Sequence, residues 1–484
     1  MNKNGLVYGV SDKPCFWKTI VFALQQVLAI LAATIVVPVI INGATGAQLS
    51  QSAALLGAGV GTIVYLLFTK FKSPVFLGSS FAFIGSMCAA FAGATSAQAG
   101  YLGLIIGAIF AGLVYVVIAL IVKFAGVNWI NKLMPAAVIG PTVAVIGLSL
   151  AGNAVGDLVK GAFFDAANGV YIMNTTGFIS LICGLVTLGT VIACSIYGKK
   201  MMKIIPFIIG ICAGYLVATI FTVIGHVASV PELIVINFSL FENMQWLPSF
   251  TFVEAFQGFG GLNGEYFATV IVAYVPVAFV VFAEHLADHK NISSIIGNDL
   301  TQDPGLHRTL LGDGVGSMVG AFFGGCPNTT YGESVGCVAI SRNASVVTIF
   351  TAAIICILAA FFAPFVTLLA TIPSCVMGGV CFTLYGFIAV SGLKMIQKVD
   401  LNENYNLFTV SVILIAGVGG LALGLGKVTL TAVACALILG ILVNLLGSKA
   451  AKKAAAQTAE TTEETATEET AEATEEVAST TDAE

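Results

Sequence analysis

The sequence predicts an all-α polytopic membrane protein with 14 transmembrane segments, arranged as two halves of opposite orientation. Three observations carry this. Of 484 residues, 58% are hydrophobic and only 9% are charged, against about 25% charged in a soluble domain. Fourteen apolar segments can be drawn, most of them close to the roughly 20 residues that a spanning helix needs. With the N-terminus placed in the cytoplasm, 18 of the 20 Lys and Arg fall in loops on that side, and only Lys160 and Lys427 fall opposite. Cytoplasmic loops carry this excess. A multi-pass protein of the inner (plasma) membrane with both termini cytoplasmic is therefore expected.

In chain order, residues 1–15 are polar and the apolar run that follows is long enough to stay in the membrane, so no cleavable signal peptide is expected. Segments 1–4 occupy 16–124 and segments 5–7 occupy 125–225. The stretch 226–265 holds Glu232, Glu242, Glu254 and Glu265 without a Lys or Arg, as suits an extracellular loop. Segments 8–11 follow in 266–369 and segments 12–14 in 370–447. Seven spans per half force the halves into opposite orientations, the condition for an inverted repeat. Residues 448–484 hold ten of the 25 acids, lack apolar periodicity and read as a disordered cytoplasmic tail. Without them the body has 15 acids against 20 bases.

The third segment of each half is irregular. One (75–95) is entered through KSPVFLGSSFAFIG and the other (329–341) through GCPNTTYGESVG. Each has a proline, Pro74 or Pro327, then hydroxyl residues, an aromatic and glycine. Non-helical backbone cannot face lipid and must line a protein-walled cavity. Interrupted segments at matching places in two halves mark a transporter's binding site. The run GDGVG invites a phosphate-loop reading, but it follows no strand and lacks the GK[ST] ending. Close helix packing explains its glycines. The 11 cysteines are scattered without a CxxC and read as small buried hydrophobes.

Chemistry concentrates between Val281 and Arg342. Glu284 follows the apolar run YVPVAFVVFA, and Asp288 lies one turn on, so both share a helix face. A carboxylate at membrane depth costs roughly 3 kcal/mol on insertion scales and must face a cavity or a partner. Glu284 reads as a substrate ligand or proton acceptor. Glu333 lies near the start of a half-helix, where the helix dipole favours an anion. Asp313, flanked by glycines, reads as a structural hydrogen-bonding group first and a proton relay second. His285 and His289 also share a face, but no third ligand is evident, so no metal site is expected, and His289 is placed at the water interface. Backbone N–H groups near Phe81 and Gly332 suit carbonyl oxygens, and Phe81 and Tyr331 can stack on a ring. This inventory fits a flat, amide-like heterocycle. An intramembrane protease is disfavoured because no aspartate pair or Ser–His set is in context.

These residues resemble the nucleobase–cation symporter-2 family, also called the nucleobase–ascorbate transporters, and most closely its bacterial uracil–proton symporter branch. The resemblance runs from about Val10 to the last helix. It rests on LGSSFAFI at 77–84, AEH at 283–285, DPGLHR at 303–308 and PNTTYGE at 327–333. It implies a core domain of segments 1–4 and 8–11, a gate domain of segments 5–7 and 12–14, and short antiparallel strands in segments 3 and 10. It further implies that Glu284 and Glu333 bind the pyrimidine ring, that Phe81 and Gly332 donate backbone hydrogen bonds, and that Ala33, Tyr331 and Tyr385 line the pocket. Proton coupling falls to Glu284, Asp288, Gln26 and Asp313. A homodimer through the gate domain is also implied. The proton is the coupling ion, with no cofactor, and the other partners expected are uracil or a related nucleobase and membrane lipid, not nucleic acid.

The chain departs from the uracil pattern at Gln26, where the family has histidine, at Asp288, where the branch has histidine, and at Ser334. Asp288 is typical of purine-transporting relatives, whereas Glu333 replaces their usual glutamine. The sequence therefore points first to uracil–proton symport and second to a xanthine or oxopurine symporter. An anion carrier of the same architecture is disfavoured by two carboxylates at the site.

Overall fold

The computed structural model describes residues 6–126, 128–199, 201–244, 246–425, 428–447 and 449. The acidic tail, with the disorder expected of it, lies outside the described residues. The chain is mostly helical. In the first half, α1 (Phe16–Thr45) and α2 (Gln51–Phe68) lead into strand β1 (Leu77–Ser79) and the short α3 (Ile84–Ala92). Then come α4 (Ala97–Ala125), α5 (Ala136–Ser149), α6 (Ala151–Leu158), a hairpin of β2 (Phe163–Asp165) and β3 (Val170–Ile172), α7 (Thr175–Tyr197) and α8 (Pro206–Ala228). In the second half, α9 (Gly264–Ile296) and α10 (Leu306–Gly324) lead into β4 (Asn328–Thr330) and α11 (Gly332–Ser341). They are followed by α12 (Val346–Ala360), α13 (Ala363–Ala370), α14 (Ser374–Ile396), α15 (Asn404–Val418), the hairpin β5 (Leu423–Leu425) and β6 (Val428–Leu430), and α16 (Ala432–Gly447).

Among the described residues, eight helices are long and apolar enough to span a membrane, counting α5 with α6 as one. A ninth candidate, α12 with α13, is bent by 81° at a break. The remaining drawn segments fall on shorter or broken elements. The third and tenth are the two strand–helix breaks. The ninth is α10, whose glycines and Asp313 lower its hydropathy because it is wrapped by protein. The thirteenth and fourteenth are the short α15 and α16. The eighth span runs ten residues beyond the 286 expected, to Ile296, so Glu284 lies inside a 33-residue helix rather than at its end.

Local chemistry sets the helix starts. Ser50, Ser96, Asn174 and Asn263 each cap a helix, their side chains accepting from the backbone N–H three residues on, worth about 1 kcal/mol apiece. Small residues then set the packing. The helix α10 lies between α2 and α4. A Cβ at Gly57 would come within 2.7 Å of the Gly320 carbonyl, one at Gly61 within 2.8 Å of the Gly316 carbonyl, and one at Gly112 within 2.7 Å of the Gly314 carbonyl. Backbones in contact on both sides of α10 are the membrane form of close packing. Elsewhere, α14 packs on α5, α6 and α7, and α8 packs on α7.

The residues before α1 form a strap. Val7 N–H donates to the Arg342 carbonyl at 2.9 Å, Ala344 N–H to the Tyr8 carbonyl at 2.9 Å, and Val346 N–H to the Val10 carbonyl at 3.1 Å. Ser345 Oγ donates to the Asp12 carbonyl at 2.6 Å. The strap joins the chain's start to the turn between α11 and α12.

The packing at α10 is testable. Gly57→Val forces α2 off the Gly320 backbone, and overpacking of this kind costs about 1–3 kcal/mol. A thermal melt of the detergent-purified variant is expected to fall by several degrees. An unchanged midpoint would show that the helices do not depend on that contact.

Candidate functional site

The site is built where two chain segments cross in extended form. β1 and β4 pair antiparallel, with Leu77 opposite Thr330, Gly78 opposite Thr329 and Ser79 opposite Asn328. Tyr331 N–H donates to the Phe76 carbonyl at 3.3 Å and Ser80 N–H to the Pro327 carbonyl at 2.8 Å, extending the ladder at both ends. All six strand residues are buried. The pairing satisfies backbone groups that lipid could not.

Side chains fix the crossing. Asn328 lies against Gly61 and Gly320, and its Nδ2 donates to the Gly57 carbonyl at 2.9 Å. No larger residue than glycine leaves room for that amide. Gly78 has the Tyr331 ring directly over it, and Tyr331 donates to the Ser79 carbonyl at 2.7 Å. Ser334, on α11, accepts from Phe76 N–H at 3.0 Å and from Gln26 Nε2 on α1. Gln26 and Ser334, both singled out in the sequence, thus bond to each other.

The long α9 crosses behind. Its geometry sorts side chains by face: Glu284 and Asp288 go to one side, His285 and His289 to another. Asp288 Oδ2 accepts from Thr330 Oγ1 at 2.9 Å, so the helix is tied directly to β4. His285 Nδ1 lies 2.7 Å from Asp313 Oδ2, and its Nε2 lies 3.0 Å from Thr309 Oγ1, both on α10. His289 is stacked on His285 with ring centroids 3.9 Å apart. Its Nδ1 lies 2.8 Å from the His285 carbonyl, which can only accept, so Nδ1 carries a proton. Its Nε2 meets the Tyr65 hydroxyl at 2.7 Å, and that hydroxyl also bonds Ser73 at 2.7 Å. His289 was expected at the water interface. It is fully buried instead, because α9 continues past it and α2 covers it with Tyr65.

A cavity of about 550 Å³ opens beside the crossing. Glu284, Asp288 and Glu333 line it, with Phe81, Tyr331 and Gly332. Its far wall comes from other helices: Val143 and Ile146 on α5, and Leu384, Phe387 and Ile388 on α14. It extends toward Lys203, Asn291 and Met395. The first N–H groups of α11 have no partner one turn back, and Gly332 and Glu333 stand at that helix start on the cavity wall. The arrangement can hold a flat polar molecule. Carboxylates accept from its N–H groups, helix-end N–H groups donate to its carbonyls, and rings cover its face.

Not every expected residue faces the cavity. Ala29 lines it, whereas Ala33, one turn along the same helix, is buried away from it. Tyr385 is buried with its ring edge-on to Phe81 at 6.0 Å, and its neighbour Leu384 takes the wall position. Gln26 is buried against Ser334 rather than on the wall. Asp313 sits on α10 against His285, behind the cavity. Sequence reasoning passed over Thr330, Asn328, Thr309 and the apolar wall of α5. The first two are polar residues inside the PNTT break, and their membrane-depth position was the available signal. The α5 wall carries no such mark.

The Permease family model matches residues 17–425. The uracil permease of Bacillus caldolyticus is 38% identical over 449 residues, covering 92% of this chain and 95% of that protein. The uracil permease of Bacillus subtilis (strain 168) is 36% identical over 454 residues, 93% of this chain and 97% of that protein. That of Escherichia coli (strain K12) is 36% identical over 440 residues, 90% and 93% of the two chains. Among solved structures, the transmembrane domain of the cyanobacterial bicarbonate transporter BicA superposes with a TM-score of 0.59 at 17% identity, covering 90% of this chain and 99% of that one. The murine Slc26a9 anion transporter, in the inward-facing state, gives 0.63 at 12% identity, with 90% and 69% covered. At those identities the likeness is one of fold alone. A polytopic helical membrane fold, paired breaks flanking a cavity and a match across most of the chain together make this protein a member of the Permease family of transporters, the nucleobase–cation symporter-2 family.

Proposed function

We propose that the protein imports uracil by proton symport across the plasma membrane, alternating access between a core and a gate domain. The carrying observation is the cavity lined by Glu284 and Glu333 together with Phe81 and Tyr331. The uracil permease names of relatives that cover more than 90% of this chain give further support for the substrate. Uracil offers two ring N–H donors and two carbonyls, which match two carboxylates and helix-end N–H groups.

In this reading the chain is two inverted repeats of seven segments, with both termini cytoplasmic. Segments 1–4 and 8–11 form the core, and segments 5–7 and 12–14 form the gate. The packing is consistent with that division: α10 contacts α2 and α4, while α14 contacts α5, α6 and α7. The cavity walls come from both sets, so relative movement of the sets opens or closes it. The cavity reaches Lys203 and Met395, and in this reading that mouth is the inward one.

Three carboxylates around one cavity repel one another where the dielectric is low. A proton on Glu284 removes one of the three charges and lets that group join a neutral ring. Asp288, which accepts from Thr330 on β4, links the acids of the cavity to the crossing strands. One proton moving through 100 mV supplies about 2.3 kcal/mol, enough for appreciable accumulation of a neutral base.

Labelled uracil uptake into proteoliposomes under an imposed pH gradient tests the coupling. Accumulation is expected to collapse when a protonophore is added, and persistence would rule out proton symport. Glu284→Gln is expected to abolish accumulation above equilibrium while leaving exchange measurable; full accumulation by that variant would remove Glu284 from the coupling role.

The ring contact is tested by affinity. Glu333→Ala deletes a hydrogen bond to a charged group, worth about 1.5–3 kcal/mol, or roughly 10–150-fold in Kd. Ligand-induced thermal stabilisation measures this, and the parent protein is expected to respond to uracil more than to xanthine, hypoxanthine or sulfate. Strongest stabilisation by xanthine would move the substrate to the oxopurines.

A further inference from the structure

Away from the cavity, a separate pocket of about 260 Å³ lies where the end of α4 meets the start of α10. Its wall is almost wholly carbon, from Phe68, Leu120 and Leu311 and from the stems of Lys123, His307 and Arg308. No Asp or Glu is among its lining residues. The acid nearest in sequence, Asp303, is engaged elsewhere: Lys72 Nζ holds its two oxygens at 2.7 and 2.8 Å. Arg308 is half-buried, and one guanidinium nitrogen donates to the Phe68 carbonyl at 3.4 Å. That anchors the group and leaves most of its five N–H donors free for another acceptor.

The pocket continues into an exposed apolar stripe. Leu113, Val117, Leu120 and Phe124 follow one another at three- and four-residue spacing along α4 and are all exposed, Phe124 by 81%. Lys123 Nζ stands 5.6 Å from the centre of the Phe124 ring. An apolar recess with three basic residues among its lining, at the end of an outward apolar stripe on a helix long and apolar enough to span a membrane, suits a molecule with an acyl chain and an anionic head. Basic pockets between spanning helices select anionic headgroups, and the stripe accepts a chain.

We infer that this recess is a binding site for an anionic phospholipid, whose phosphate diester is held by Lys123, His307 and Arg308 and whose acyl chain lies along α4. A free phosphate matches the charge but leaves Phe68, Leu120 and Leu311 uncovered. The site is distinct from the substrate cavity and shares no residue with it. A lipid there clamps α4 to the start of α10, the helix that carries Asp313.

The test uses the full chain in a neutral detergent, stripped of lipid and titrated with phosphatidylglycerol or phosphatidylcholine, with bound lipid counted by native mass spectrometry. Phosphatidylglycerol is expected to bind at least about fivefold more tightly, since each surface cation contributes about that factor. Lys123→Gln combined with His307→Gln, which keeps the Arg308–Phe68 bond, is expected to abolish the preference. If the double variant melts lower than the parent, Lys123→Gln alone, at an exposed position, is expected to lose about fivefold and decides the matter. Lys394→Gln, at the end of α14, is expected to leave binding unchanged. Equal binding of the two lipids, or a Lys123 variant that binds phosphatidylglycerol as the parent does, would overturn the proposal. Displacement of the lipid by millimolar inorganic phosphate would reassign the recess to a free anion and overturn it as well.

Discussion

The constraint on which this structure turns is backbone hydrogen bonding where there is no water. Residues 77–79 and 328–330 leave the helical conformation inside a membrane fold, and each supplies the partners that the other lacks. The surrounding features serve that exchange. Glycines on α2 and α10 make room for Asn328, glycine at 78 makes room for Tyr331, and Ser334 accepts both a side chain and a main-chain N–H. The dividend is a pair of short helices that start beside a cavity, with end groups available to a ligand.

Electrostatics follows from the same geometry. A long, uninterrupted α9 puts its acids on the cavity side and its histidines on the α10 side. Asp313 meets His285 there, while Glu284 and Asp288 face the open space. Four acids are thus divided, one held in a buried pair with His285 and three lining a common chamber. Only the second group is placed to respond to what enters.

Much of this was legible in the sequence. The polytopic helical fold and the paired breaks after Pro74 and Pro327 follow from composition and spacing. Glu284 and Glu333 stood out because a carboxylate in an apolar run requires a reason. What was not legible has physical causes. The length of α9 was underestimated because polar residues after Glu284 read as a helix end, whereas Tyr65 and Asp313 satisfy them within the protein. Ala29 and Ala33 are chemically identical and share a face, so nothing in their spacing says which one meets the cavity. The α5 wall is apolar among apolar segments and gives no signal at all. Tyr385 stops at Phe81, a contact set by how two helix groups approach, which no local pattern encodes.

The strap at the chain's start and the strand crossing share one property: their partners are distant in sequence. Val7 and Tyr8 bond to Arg342, and β1 to β4. During synthesis the first half therefore reaches the membrane with β1 unpaired and its opening strap unattached. Both remain so until the chain has grown past β4 and Arg342. Long-range closure of this kind is slow and leaves incomplete chains exposed. The late chain is thus what completes the early one: the backbone of 77–79 keeps its unpaired groups until 328–330 arrives to meet them.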